Sequence, residues 1–144
     1  MSTRIFPTAQ DVENAFYESL ERNDLALMMA VWAEDEDIVC VHPAGPRLAG
    51  QEQVREGWRK IFASGQRLRF QIAQQVRVAG VMLAVHSLHE IITVVGEKQP
   101  RPAVIATNVY LRSAAGWRMI VHHASPAPAA AAADPAPETP KILH

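Results

Sequence analysis

The hydrophobic period of this chain changes near its midpoint. Before residue 65, apolar residues recur three and four apart; after it they alternate. Thr8 and Asp11 have the spacing of a capping box, and Val12, Ala15, Phe16 and Leu20 follow at helical spacing. Glu13, Asn14, Glu18 and Glu21 lie opposite, so a helix is expected over 9–22. Asn23-Asp24 breaks it, and Asp24 caps a second helix with Leu25, Met28, Met29 and Trp32 on one face. The acid run Glu34 to Asp37 reads as a solvated turn. Ile38 to His42 is rich in β-branched residues and reads as a strand. Pro43, Gly45, Pro46 and Gly50 make the next segment a loop. A third helix over 51–64 turns Val54, Trp58, Ile61 and Phe62 inward, with Gly65 placed to end it.

Period two then takes over. Leu68, Phe70, Ile72, Val76 and Val78 alternate with Arg67, Arg69, Gln71, Gln75 and Arg77, the pattern of a half-buried strand. Ala79-Gly80 turns the chain into a strand over 81–95 that is apolar on both faces. One face carries Val81, Leu83, Val85, Ser87, His89 and Ile91; the other carries Met82, Ala84, His86, Leu88, Glu90 and Ile92. Such a strand is covered on both sides, by helices on one and most simply by a second subunit on the other. Strands over 103–112 and 117–125 complete an antiparallel meander. Helices gathered first and strands last give an α+β fold. A twisted meander curling around the helices makes a cone with an apolar interior, a natural small-molecule site.

Composition narrows this reading. The chain has 144 residues, 49% of them hydrophobic and 20% charged, which suits one domain with a real core. Residues 127–144, rich in Pro and Ala, read as a disordered tail after a domain over 1–126. The net charge is -1, leaving no basic stripe for nucleic acid. No apolar run suits a signal peptide or a membrane span, and there is a single cysteine, Cys40. A cytoplasmic location is expected.

The chemistry-bearing residues are sparse. No phosphate loop, dinucleotide fingerprint or Gly-x-Ser-x-Gly elbow is present, and no cofactor is implied. Neither His86-x-x-His89 nor His122-His123 can chelate one ion from a regular strand, because odd separations point to opposite faces; no metal site is expected. Cys40, in an apolar strand, reads as an inert core thiol. Acid–base chemistry needs one ionisable group in an apolar cavity, and His89, Glu90 and His122 are the candidates. Asn108 lies inside a strand, where its amide must find partners or face a pocket. Trp32, Trp58 and Phe62 serve as core or as a ligand platform.

Several motifs stand together: Val41-His42-Pro43, Gly50, Trp58, Gly80, Glu90, Thr107-Asn108-Val109, Gly116-Trp117-Arg118 and His122-His123-Ala124-Ser125-Pro126. Over residues 8–126 this pattern resembles the SnoaL-like branch of the nuclear transport factor 2-like (NTF2-like) superfamily. Its last segment is also similar to the association domain of calcium/calmodulin-dependent kinase. The resemblance implies a cone-shaped α+β barrel, a homodimer packed through the outer sheet face, and a pocket between the first and third helices and the concave sheet. The superfamily holds isomerases, epoxide hydrolases, cyclases, dehydratases and non-catalytic domains, so the fold alone does not assign a reaction. The acidic set of the epoxide hydrolases and the pocket arginines of the kinase domain are both missing here.

Carried over by motif, the resemblance places Ser87, Asn108 and Ala124 towards the cavity. By alternation His89, Tyr110 and His122 join them, and Glu90 and His123 face outward. Simple pairing across the 96–102 loop argues the other way and sets Glu90 opposite Asn108. The expected ligand-binding set is Trp32, His42, Trp58, Ser87, His89, Asn108, Tyr110 and His122. The expected function is binding of a small organic molecule in the cone. The alternatives are a general acid/base isomerase, cyclase or dehydratase using a pocket His or Glu, and a homo-oligomeric assembly domain.

Overall fold

A computed structural model describes residues 4–34 and 36–128. Helix α1 spans Ala9–Arg22 and opens with the capping box: the Thr8 hydroxyl accepts from the Asp11 N–H, and the Asp11 carboxylate accepts from the Thr8 N–H. Asn23, at φ 51°, ends it in the left-handed conformation that asparagine tolerates. Asp24 accepts from the Leu27 N–H and caps α2, Leu25–Val31. Trp32 lies just past α2 as its C-cap and is fully buried. Strand β1 is Val39–Val41, and β2, Arg47–Ala49, runs back beside it. The segment expected as a loop thus holds a short strand, whose brevity and prolines hid any alternation. Helix α3 spans Gln51–Ala63, and Gly65, at φ +76°, follows its C-cap. The meander is β3 Leu68–Ala79, β4 Leu83–Val94, β5 Val104–Ser113 and β6 Gly116–Pro126.

All six strands form one sheet in the order β2-β1-β6-β5-β4-β3. Every pairing is antiparallel except β1 beside β6. The chain is therefore an α+β fold of three helices and a curved six-stranded sheet. The core lies between the helices and the sheet, built on Phe16, Met28, Trp32, Trp58, Leu88, Tyr110 and Met119. Glu34, Glu36 and Asp37 are exposed, as a solvated turn requires. Of the tail expected over 127–144, residues 129–144 lie outside the described residues.

The face of β4 differs from the expectation. Ala84, His86, Leu88 and Glu90 are buried on the inner face, whereas Ser87 is exposed and His89 only half-buried on the other. Glu90 therefore points inward, and Ser87 and His89 do not. A strand apolar on both faces carries no parity signal of its own, and one residue of slip inverts every side chain. On β5 and β6, Asn108, Tyr110, His122 and Ala124 are buried and His123 is exposed.

Two bulges shape the sheet. The β5–β6 register shifts at Val109/Tyr110, and the β3–β4 register shifts between Ala73 and Val76. In the second, Gln74 sits at φ 51°, which lets the Gln75 amide reach the Glu13 carboxylate at 2.7 Å. A left-handed non-glycine residue costs on the order of 1 kcal/mol, which the bulge geometry imposes. Gln74→Val is therefore expected to be about 1–2 kcal/mol less stable than Gln74→Gly in urea denaturation, because a β-branched residue tolerates positive φ worst.

Candidate functional site

Three strands place His86, Asn108 and His122 directly opposite one another, forming a polar row across the concave face. Each is at least nine-tenths buried. Helix α1 lays Glu13 and Tyr17 against this row, and both are buried too. Residues four apart on a helix share a face, so one turn of α1 delivers both groups. Glu13 was expected on the polar side of α1. It sits instead in the stripe Ala9, Val12, Glu13, Phe16, Leu20, which only its charge disguised.

The hydrogen bonds run in one direction. Burial and the Glu90 charge hold the Tyr17 phenol well above its ordinary pKa, so it stays protonated and donates. Its hydroxyl donates to Glu90 Oε2 at 2.6 Å and accepts from Asn108 Nδ2 at 3.1 Å. Asn108 Oδ1 is then left to accept from His122 Nδ1, at 2.6 Å. This assigns the proton of neutral His122 to Nδ1. Burial, then the neighbouring His42 and His123, lower the His122 pKa to about 3, which keeps it neutral. The chain His122–Asn108–Tyr17–Glu90 thus delivers donors towards one carboxyl.

That carboxyl lies in an apolar setting. Ile72 is its partner across the β3–β4 ladder, and Phe70 stands opposite Ile92 one step further along. These three side chains are only half-buried and form a rim beside Glu90. Burial is the main influence on Glu90 and raises its pKa to about 7; the Tyr17 hydrogen bond opposes this, and the charge of Glu13 adds to it. Glu90 is thus balanced between its two protonation states near neutrality, where general acid–base chemistry works best.

The remaining expected residues fall in two places. Trp58 packs edge-on to Phe16 and to His42, with ring centroids 5.6 and 4.5 Å apart, and stands 6.1 Å from His122. His42 is half-buried, its pKa lowered by burial, and its Nε2 lies 3.5 Å from Cys40 Sγ. Burial, aided by Glu90, pushes the Cys40 thiol up to about 12, so it stays protonated. Trp32 and Trp58 carry the two buried side-chain nitrogens that lack a hydrogen-bond partner among the described residues. Tyr110 is buried and donates to Glu13 at 3.4 Å. Ser87 and His89 take no part in the row. Tyr17, His86 and Glu13 complete it without having been singled out for it, and no group of three or more His, Cys, Asp or Glu among the described residues is placed to hold a metal.

Fold and site together define a SnoaL-like protein of the NTF2-like superfamily. The SnoaL-like domain model matches residues 10–130, and the chain belongs to that family. A putative calcium/calmodulin-dependent protein kinase type II association domain from Thiobacillus denitrificans shares 41% identity, with a TM-score of 0.80. The match covers 87% of this chain and 99% of that one. A putative dehydratase of the NTF2-like family from Streptomyces avermitilis shares 30% identity over 81% of this chain and 91% of its own, at a TM-score of 0.73. An NTF2-like protein of unknown function from Pseudomonas putida, 19% identical over 81% of this chain and 82% of its own at a TM-score of 0.72, shares the fold. No curated protein matches the chain. Family membership supports a ligand-binding or enzymatic role, and no described helix is long and apolar enough to cross a membrane.

The two buried titrations act on stability with opposite signs. Glu90, raised from 4.5 to about 7, binds more proton when folded, so its contribution to stability falls as pH rises through that window. His122, lowered from 6.5 to about 3, binds more proton when unfolded, so its contribution rises between pH 3 and 6.5. The wild type partly cancels the two where they overlap. Glu90→Gln removes only the falling limb. In urea denaturation the variant is expected to gain on the wild type by about 3 kcal/mol between pH 4.5 and 8. A difference that does not change with pH would show that Glu90 ionises as it does in water.

Proposed function

We propose that this protein binds a small, mostly apolar organic molecule beside Glu90 and moves a proton on it, with Glu90 as the general acid/base. The observation that carries this reading is the one-way hydrogen-bond chain from His122 through Asn108 and Tyr17 to Glu90 Oε2. Such a chain is not needed to fill a core, since apolar residues of similar shape do so at lower cost. Here it steadies the carboxylate formed when Glu90 gives up its proton, while the Phe70, Ile72 and Ile92 rim suits an apolar ligand body. The buried Trp58 indole N–H, without a partner among the described residues, supplies a donor for a ligand oxygen. The likeness to a putative dehydratase at 30% identity supports proton-transfer chemistry of the isomerase, cyclase or dehydratase kind.

The test uses a panel of enolisable cyclic ketones in D2O. Glu90 takes the proton α to the carbonyl and returns a solvent deuteron, which NMR detects. Glu90→Gln is expected to slow exchange at least 100-fold, and Tyr17→Phe about 10-fold, for any ketone that the wild type binds. Exchange at the wild-type rate in Glu90→Gln would overturn the role; so would ketone binding without exchange in the wild type. That second result would leave the binding reading standing without the chemistry.

A homodimer through the outer sheet face belongs to the same reading. Val78, Val85, Val109, Val121 and Val39 are successive ladder partners across five strands, giving an apolar stripe on the outer face. Val78 is 63% exposed, and the other four are half-buried. An apolar stripe of this kind matches a second copy of itself. A reducing, cytoplasmic setting agrees with the buried free Cys40. Val109→Lys is expected to halve the mass seen by sedimentation while leaving the circular dichroism spectrum unchanged. A wild type that sediments as a monomer would rule the dimer out.

A further inference from the structure

A second buried ionisable pair lies at the other end of α1. His86 Nδ1 stands 2.6 Å from Glu13 Oε1, and both side chains are almost fully buried. The Glu13 carboxyl accepts several hydrogen bonds inside the fold. Its Oε1 also accepts from the Tyr110 hydroxyl at 3.4 Å, and its Oε2 accepts from the amides of Gln75 at 2.7 Å and Gln10 at 3.0 Å. Three other donors already point at the Glu13 carboxyl, so it takes the acceptor role towards His86 as well, and His86 Nδ1 is the donor. In the tautomer that donates from Nδ1, the lone pair is on Nε2. The same pairing fixes the ring orientation, as a carboxylate does behind a working histidine.

His86 also borders a pocket of about 310 Å³, together with Gln10, Arg77, Ala79, Ala84 and Trp117. This opening lies between the start of α1, the β3–β4 hairpin and the start of β6, whereas Glu90 lies near the opposite ends of those strands. Arg77 is the direct cross-strand partner of His86, and its guanidinium donates to Gln10 Oε1 at 2.9 Å. Trp117 and Ala84 give the pocket an apolar wall. One pocket thus combines a cation held by Gln10, a flat aromatic surface and a buried proton acceptor.

We propose that this pocket is a second binding site, taking a small aromatic hydroxy acid. The ligand carboxylate pairs with Arg77, its ring lies against Trp117, and its hydroxyl donates to His86 Nε2. Charge sets the orientation: the Glu13 carboxylate behind His86 repels an anion from that end, and Arg77 attracts one. Volume sets the size, because 310 Å³ is at the small end of ligand pockets and admits a single ring with short substituents. The site is separate from the Glu90 chemistry and stands whether or not that reading holds.

The test compares 4-hydroxybenzoate with benzoate by titration calorimetry and by 15N NMR of the histidine rings. The hydroxy acid is expected to bind at least 10-fold more tightly, to shift the His86 Nε2 resonance and to quench tryptophan fluorescence. Arg77→Gln is expected to weaken both acids about 10-fold. His86→Gln is expected to bring the two acids within 3-fold of each other. Where that variant does not fold, the Nε2 shift in the wild type decides the point. Equal affinities for the two acids, a hydroxy-acid complex without the Nε2 shift, or no binding of 4-hydroxybenzoate at millimolar concentration would overturn the proposal.

Discussion

The concave face of the sheet carries buried polar groups that must find partners within the protein, and this requirement docks α1. A buried polar group without a partner costs about 1–3 kcal/mol, more when charged. His86 and Asn108 cannot meet that need along the sheet alone. Glu13 and Tyr17, one turn apart on α1, bring a carboxylate and a phenol to them. The same contacts fix the register of the helix against the strands. A rotation of α1 by one residue would strand Glu13, His86, Tyr17 and Glu90 together. The Glu21 carboxylate, which accepts from the Phe70 N–H at 2.7 Å, anchors the far end of the helix.

The two inward carboxylates are treated differently, and this separates their roles. Glu13 accepts from four donors drawn from α1, β3, β4 and β5, so its charge is dispersed into the fold. Glu90 accepts from Tyr17 beside an apolar rim, and burial lifts it to about 7. A carboxylate tied by several donors is a fastener. One with a single donor and an apolar neighbourhood is balanced for proton transfer. The bulge at Gln74 belongs to this division, since it allows Gln75 to serve Glu13.

Much of the fold is legible in the residues. Thr8 and Asp11 set the first turn of α1, and the stripe from Val12 to Leu20 sets its length. The change to period two at Leu68 marks the start of the meander, and the observed strand ends lie within two residues of the expected ones. The site was harder to read. Asn108 was placed on the inner face by its motif match, Tyr110 and His122 followed by alternation, and all three are buried there. The motif match also placed Ser87 inward, with His89 beside it and Glu90 outside; β4, apolar on both faces, held no signal to correct this. Glu13 and Tyr17 carried a faint signal, since they occupy slots next to Phe16 in the buried face of α1. A charge in such a slot reads as an irregularity until its partner is known.

The sequence by itself determined every element but the short β2, their order, the α+β class and the family, because these follow from local periodicity, caps, turns and motif residues. Only the tertiary structure decided which face of β4 looks inward, and with it that His86 and Glu90, rather than His89, are buried there. That choice depends on Glu13 and Tyr17 meeting His86, Asn108 and Glu90 across more than 70 residues of chain. Alternation along a strand defines two faces, and naming the inner one needs the partners that only the folded chain brings to it.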